Sequence, residues 1–232
     1  MADSRRLNRI RDEAGRILPA GPTLIALSGG ADSAVAAWVA VELGHPVRAI
    51  HIHHGLPDSR AMELAAKAVA AELGIDLEVV NVEVPDGPSP EAQARAVRRA
   101  AIEASAAESE WLVTGHQLDD VAETVADRLA RGSGSTGLAA IRPIDGRWVR
   151  PLLAISRADV RGVADELGLP YADDPSNDDL RHRRNRIRNV VSPVLTEALG
   201  ADAIDGLARS ARLLAADDAA LEMEAGRIEA RR

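Results

Sequence analysis

The chain has 232 residues, enough for one long domain or for a domain with an extension, and its net charge of −8 gives no sign of nucleic-acid binding by the chain as a whole. The absence of cysteine excludes disulfides, cysteine-ligated zinc, iron–sulfur clusters and persulfide relays. With no Phe, three Trp and one Tyr, the core must rest on Ala, Val, Leu and Ile, and aromatic platforms for stacking bases are scarce.

The N-terminus, MADSRRLNRIRDEAGRIL, is amphipathic and charged rather than a leader peptide. No apolar run reaches the length of a bilayer crossing, so the chain reads as cytoplasmic with no membrane partner. Four apolar runs then read as strands: PTLIALS at 22–28, VRAIHIH at 47–53, LEVVNVEV at 77–84 and WLVTGH at 111–116. Helical stretches follow them at 32–43, 60–73, 90–107 and 119–130. This alternation predicts βαβ units, hence an α/β, Rossmann-like parallel sheet with helices on both faces. Ligands of such sheets lie at the carboxyl ends of the strands. SGGADS, HIHHGL and GHQLDD each follow one of those ends. From 131 the stretch RGSGSTGLAAIRPIDGRW is Gly-rich and reads as loop. A helix at 156–167, the loop GLPYADDPSNDD, an arginine-rich segment and a long helix from about 201 make an α-helical extension.

The first of the three turns, ALSGGADSA at 26–34, has the chemistry of an anion cradle. Gly29 and Gly30 let an anion approach backbone N–H groups, and the helix start adds partial positive charge. Ser28 and Ser33 add hydroxyls. The turn has neither the Gly-Lys-Ser/Thr of a kinase-type loop nor the GxGxxG of a dinucleotide fold. Asp32 would repel a triphosphate unless a cation intervened, which implies Mg2+. The plainer alternative is a tight strand–helix turn capped by Ser28 or Asp32. SGGADS resembles the SGGxDS signature of the N-type ATP pyrophosphatases, the PP-loop superfamily, whose fold is adenine nucleotide alpha hydrolase-like. That resemblance implies ATP, with Mg2+ at Asp32. Ala26, Leu27, Ser28, Gly29, Gly30, Ala31, Asp32 and Ser33 would bind the ATP, the N–H groups around 28–33 gripping its pyrophosphate while a substrate attacks the α-phosphorus.

Four later stretches narrow the resemblance. HIHHGL at 51–56 puts His51 and His53 on one strand face and His54 on the other; alone, it would read as a metal site or a solvated strand end. EAQARAVRRA at 91–100 spaces Arg95 and Arg98 three apart on one helical face. GHQLDDVAETV at 115–125 places Asp120 and Glu123 at i,i+3. Such a pair can bind an ammonium, with Arg98 available for a carboxylate, or it can cap the helix and offset its dipole. RLARGSGSTGL at 128–138 continues this stretch. DDPSNDDLRHRRNRIRNVVSPVL at 173–195 carries the densest basic cluster. Its arginines either meet phosphates or pair with Asp173, Asp174, Asp178 and Asp179.

In this order, from about residue 20 to 196, these stretches resemble the catalytic domain of the tRNA(Ile)-lysidine synthetase family. Asp174, Ser176, Asn177, Arg184, Asn185, Arg188 and Pro193 stand at the family's places. Arg99 stands where the family usually has Tyr. The resemblance implies an ATP-dependent ligation of free L-lysine to C2 of the wobble cytidine in a CAU-anticodon isoleucine tRNA. It would proceed through an adenylated intermediate, releasing pyrophosphate and AMP. His51, Ile52, His53 and Gly115 would contact the nucleotide. Asp120 and Glu123 would bind the lysine ammonium and Arg98 its carboxylate, while Asp32 would hold Mg2+ or act as a base. Arg131, Arg150, Asn177, Arg184, Asn185 and Arg188 would face the tRNA. The expected division is a catalytic core at 1–145, a tRNA-facing part at 146–200 and a long helix at 201–232. That helix stops at EARR with no closing residue, as if inside a longer chain carrying a further tRNA-binding domain. A homodimer is compatible with the sequence. Thiolases of the superfamily generally use cysteines or a cluster, which this chain lacks. Small-molecule amidating synthetases leave 173–195 unexplained. A non-catalytic nucleotide sensor would not need Asp32, Arg98, Asp120 and Glu123 together.

Overall fold

The computed structural model describes residues 4–53, 59–85, 90–139 and 141–229. His54, Gly55 and Leu56 of the histidine motif and the terminal residues 230–232 lie outside the described residues. In chain order the elements are α1 (Ser4–Ile17), β1 (Thr23–Ala26), α2 (Ala31–Glu42), β2 (Val47–His53), α3 (Ser59–Leu73), β3 (Asp76–Asn81), α4 (Pro90–Ser105) and β4 (Trp111–Val113). Then come α5 (Leu118–Leu129), α6 (Ser135–Leu138), β5 (Ile144–Asp145), β6 (Trp148–Val149), α7 (Arg157–Glu166), α8 (Arg183–Arg186), α9 (Ser192–Leu199) and α10 (Ala203–Glu229). Five residues of π-helix, Ile187–Val191, join α8 to α9.

By internal contacts the chain forms two units, each drawn from two stretches of sequence. The first comprises residues 1–117 and 143–176, the second 118–142 and 177–232.

The first unit holds the whole sheet, in the order β3-β2-β1-β4-β6-β5. Its first five strands are parallel, with Thr23 level with Val47 on one side and Trp111 on the other. Only β5, at the edge, runs antiparallel, against β6. Both are two-residue strands inside the stretch that reads as loop, too short for any hydrophobic period to reveal. One sheet face packs Ile25, Leu27, Val113 and Val149 against Ile10 and Ala14 of α1, Val35 and Val39 of α2, Ala66 and Val69 of α3, and Val160 and Val163 of α7. The other packs Leu24, Ile50, Ile52, Leu112 and Trp148 against Ile102 of α4. The parallel sheet with helices on both faces is therefore present. Small side chains do much of the packing: α2 buries Ala34, Ala36, Ala37 and Ala40, which lets the helix lie close to the strands. Strand order reverses direction at β1, so the crevice beyond the ends of β1 and β4 is a topological switch point, where α/β sheets bind ligands.

The second unit is helical. Buried Val121, Ala122 and Val125 of α5 and Ala208 and Ala211 of α10 supply apolar surface. Asp218 on α10, itself buried, accepts from Thr136 Oγ1 at 2.8 Å and from Arg142 at 2.9 Å. These bonds tie the long helix to the Gly-rich stretch after α5. No helix among the described residues is long and apolar enough to cross a membrane.

Candidate functional site

The glycine turn sits at the switch point. Leu27 continues the β1 ladder by donating to Ile50 O at 2.9 Å. Gly29 then takes φ +94°, a region that favours glycine, and its carbonyl accepts from Ala172 N at 2.9 Å. A Cβ there would also collide with the Met62 carbonyl of α3. Gly30 is the N-cap of α2, and no side chain caps it. The N–H groups of the first turn of this twelve-residue helix therefore face the turn with the positive end of the helix dipole behind them. Ser33 Oγ donates to Gly30 O at 2.9 Å and accepts from Ser28 N at 3.2 Å. With its proton so used, it accepts from Ser28 Oγ at 3.0 Å. The hydroxyls brace the turn from inside.

Two residues brace it from outside. Gly115, just past β4, lies against the start of α2: an added Cβ would be 2.5 Å from Asp32 O and 2.7 Å from Ser33 N. This close backbone approach leaves no room for a side chain at 115. His51 of β2 is 3% exposed and its Nδ1 lies 2.9 Å from Leu27 O. A carbonyl oxygen only accepts, so Nδ1 carries the proton. Burial holds His51 below its usual pKa, and the nearby charges of His53 and Arg98 act the same way, against the Leu27 bond and Glu63, which favour the cation. An unfolded histidine takes a proton near pH 6.5. The folded one does so only at lower pH, so stability held above about pH 6.5 is lost as pH falls below it. The urea midpoint is expected to drop between pH 7.5 and 5.5, and His51→Gln, which can still donate to Leu27, to flatten that drop. An unchanged slope would mean His51 is not the group responsible.

His53 lies beside Glu63, with Nε2 3.8 Å from the carboxylate, which Lys67 also engages. Among the described residues no three His, Cys, Asp or Glu side chains gather to hold a metal. Mg2+ usually takes one or two carboxylates and completes its shell with water and phosphate oxygens. Asp32, on the first turn of α2, fits that use as a single protein ligand. Arg98 lies on α4, exposed. Arg150 is buried beside Asp145 at 3.8 Å; burial, then Arg95 and Arg99, lower its pKa against the opposing pull of Asp145.

The remaining site residues belong to the second unit. There the structure joins two groups that sequence reading kept apart. Asp120 and Glu123, both buried, are ion-paired with Arg184 and Arg188. Arg184 donates to Asp120 Oδ1 at 2.7 Å and from Nε to Glu123 Oε2 at 3.1 Å. Arg188 donates from Nε to Glu123 Oε1 at 2.9 Å, and from a terminal nitrogen to Asp120 Oδ1 and Glu123 Oε2, each at 3.3 Å. Burial alone would lower the Arg184 pKa, but the two carboxylates outweigh it and the pKa is raised. Asn177 accepts from Arg188 at 3.4 Å. Asn185 is buried and donates to the Asp179 carbonyl at 2.9 Å, clamping its own loop. Arg131 pairs with Asp127 at 3.0 Å, an acid that Arg183 also engages. Arg181 chelates Asp179 and holds that carboxyl down at about 2. Of the acids near the cluster in sequence, Asp179 is thus paired within it, while its central arginines reach back to α5. Sequence spacing has no signal for that long-range pairing. Nor has it one for the backbones of Met62 and Ala172 that grip the turn.

A glycine turn at the switch point of a parallel sheet, seated on an uncapped helix start, defines a phosphate-binding α/β protein. Residues 2–195 match the model of the PP-loop domain, and the chain belongs to that family. Within it, the chain groups with the tRNA(Ile)-lysidine synthases. It is 42% identical over 221 residues to the one from Salinispora arenicola, covering 89% of this chain and 66% of that protein. It is 45% identical over 206 residues to the one from Xanthomonas campestris pv. campestris, covering 84% and 47%. The chain thus spans about half to two thirds of the length of these curated relatives. Among solved structures, the fold is similar to that of the U34-tRNA thiolase NcsA from Methanococcus maripaludis, with TM-score 0.69, 21% identity, and 90% and 78% of the two chains covered.

Proposed function

We propose that this chain carries the catalytic part of a tRNA(Ile)-lysidine synthase. The observation that carries the reading is the 42–45% identity to such enzymes over 84–89% of the chain. The phosphate cradle at the switch point supports the use of ATP. In this reading the C2 oxygen of the wobble cytidine of a CAU-anticodon tRNA attacks the α-phosphorus, and the bond to the pyrophosphate breaks. The amine of free lysine then attacks C2. The C2–oxygen bond breaks, AMP departs with the oxygen, and the nitrogen loses a proton.

The N–H groups at 28–33 would stabilise the charge that grows on the leaving pyrophosphate. Mg2+, when bound, would neutralise part of the phosphate charge. Asp32 would hold it or accept the proton of the attacking amine. Asp120 and Glu123 would receive the lysine ammonium, Arg98 its carboxylate, and Arg131, Arg150 and the 184–188 segment the anticodon arm. With aromatics scarce, guanidinium planes are the natural support for an unstacked cytidine.

The test is AMP release from ATP with transcribed CAU-anticodon isoleucine tRNA, with and without lysine, followed by mass spectrometry of the digested tRNA. A lysine-dependent cytidine adduct that disappears in Asp32→Ala is the expected result. AMP release that ignores both lysine and the anticodon sequence would overturn the reading.

A further inference from the structure

Asp120, Glu123, Arg184 and Arg188 form a set with two formal negative and two formal positive charges. Asp120 Oδ1 accepts from both arginines, Glu123 Oε2 from both, and Glu123 Oε1 from Arg188. An arriving ammonium meets no net charge there, and these oxygens already accept strong donors. The function proposed above nevertheless requires these acids to take the ammonium of lysine. Both conditions hold if one arginine leaves.

The geometry distinguishes the two. The Arg184 side chain is 41% exposed and touches each acid through one bond. The Arg188 side chain is 21% exposed, holds both oxygens of Glu123 and also reaches Asn177. Arg184 is the more exposed of the two and makes the fewer bonds. It lies on the four-residue helix α8, which runs into the π-helical turn at Ile187–Val191, a form uncommon in itself and frequent at functional sites. A guanidinium that leaves two carboxylates needs another anion, and a nucleic-acid backbone offers one with matching fork geometry.

We propose that Arg184 is a displaceable stand-in for the substrate ammonium, and that an RNA phosphodiester, by drawing it off Asp120 and Glu123, opens those carboxylates to lysine. This rests on the lysidine synthase reading and adds an order to it: RNA and lysine bind with positive coupling, and by linkage each strengthens the other. Without RNA the acids stay covered, so free lysine does not occupy the site ahead of the nucleotide it is to modify.

The experiment uses the full chain, 15N-labelled, with L-lysine and a stem–loop RNA carrying the CAU anticodon. Calorimetry is expected to show lysine binding about tenfold tighter or more with the stem–loop present, within the usual span of coupled sites. Arg184→Gln leaves the set one net negative charge, so it is expected to bind lysine without RNA nearly as well as the wild type does with it. The RNA effect on lysine should then disappear. Equal lysine affinity with and without RNA, or no gain in Arg184→Gln, overturns the proposal. The Arg184 Nε–H resonance gives a readout without lysine: it is expected to shift on adding the stem–loop, as its acceptor changes from Glu123 Oε2 to a phosphate oxygen. If lysine binds under no condition, the lysidine synthase reading fails; a moving resonance then still supports the displacement by RNA, and an unmoved one overturns it. Inorganic phosphate at matched ionic strength is the control, and an equal effect from it would replace RNA with a free anion as the trigger. Should Arg184→Gln fail to fold, the two wild-type measurements decide alone.

Discussion

Gly29→Ala is expected to remove ATP binding and to destabilise the fold by about 2–6 kcal/mol, the sum of a strained backbone and an overpacked contact. Two independent penalties fall on one atom. The residue holds φ +94°, and its Cβ would enter the space of the Met62 carbonyl. Neither can relax cheaply, because the obstacle is backbone within α3 and because the Gly29 carbonyl is held by Ala172 N. The turn would have to move away from the start of α2, and the N–H groups that cradle phosphate would lose their common direction. Urea unfolding and equilibrium ATP titration measure the two effects separately. A variant with the wild-type urea midpoint and unchanged ATP affinity would show that the turn does not have this conformation.

Glu123→Gln is expected to act differently, sparing ATP affinity and abolishing lysine-dependent turnover. Glu123 is 3% exposed and accepts three hydrogen bonds from two guanidinia. The amide keeps the shape but loses the charge, leaving Arg184 and Arg188 to share Asp120. Breaking a fully buried pair costs about 3–5 kcal/mol. Here the arginines are partly exposed, so solvent screening should bring the loss nearer about 2 kcal/mol. The glycine turn belongs to the other unit and keeps its own braces, so the ATP dissociation constant should stay within about twofold, a change of under about 0.5 kcal/mol. Loss of ATP affinity to the same degree as activity would mean the variant is misfolded rather than deprived of the proposed amine site.

The parts of this protein that sequence makes legible are those governed by local rules. Strands β1 to β4 and helices α2 to α5 fall within a few residues of their hydrophobic runs, because a buried parallel strand and an Ala-rich helix each write their own period. Residues 26–33 are conspicuous because a strand–Gly-Gly–helix turn with two serines has few other uses. Pairings across long sequence distances are a different matter. Nothing local tells Arg184 to choose Asp120, 64 residues away, over Asp178 or Asp179 close by. The steric duty of Gly115 is equally silent, since it depends on where α2 begins relative to β4. The two short strands β5 and β6 owe their existence to an available sheet edge rather than to their own residues.

The π-helical turn between α8 and α9 gives chain length a meaning of its own. Each residue of a helix turns the following side chain by about 100°. Ile187–Val191 accommodates its extra residue within one wide turn, and Arg188 lies inside it. Losing or gaining a single residue between Arg184 and Arg188 would swing Arg188 relative to Arg184 by about 100°. Spacing between the two arginines therefore decides their meeting as much as the arginines themselves do. Two relatives with identical acids and arginines but one residue more or less between 184 and 188 should not be assumed to share this cluster.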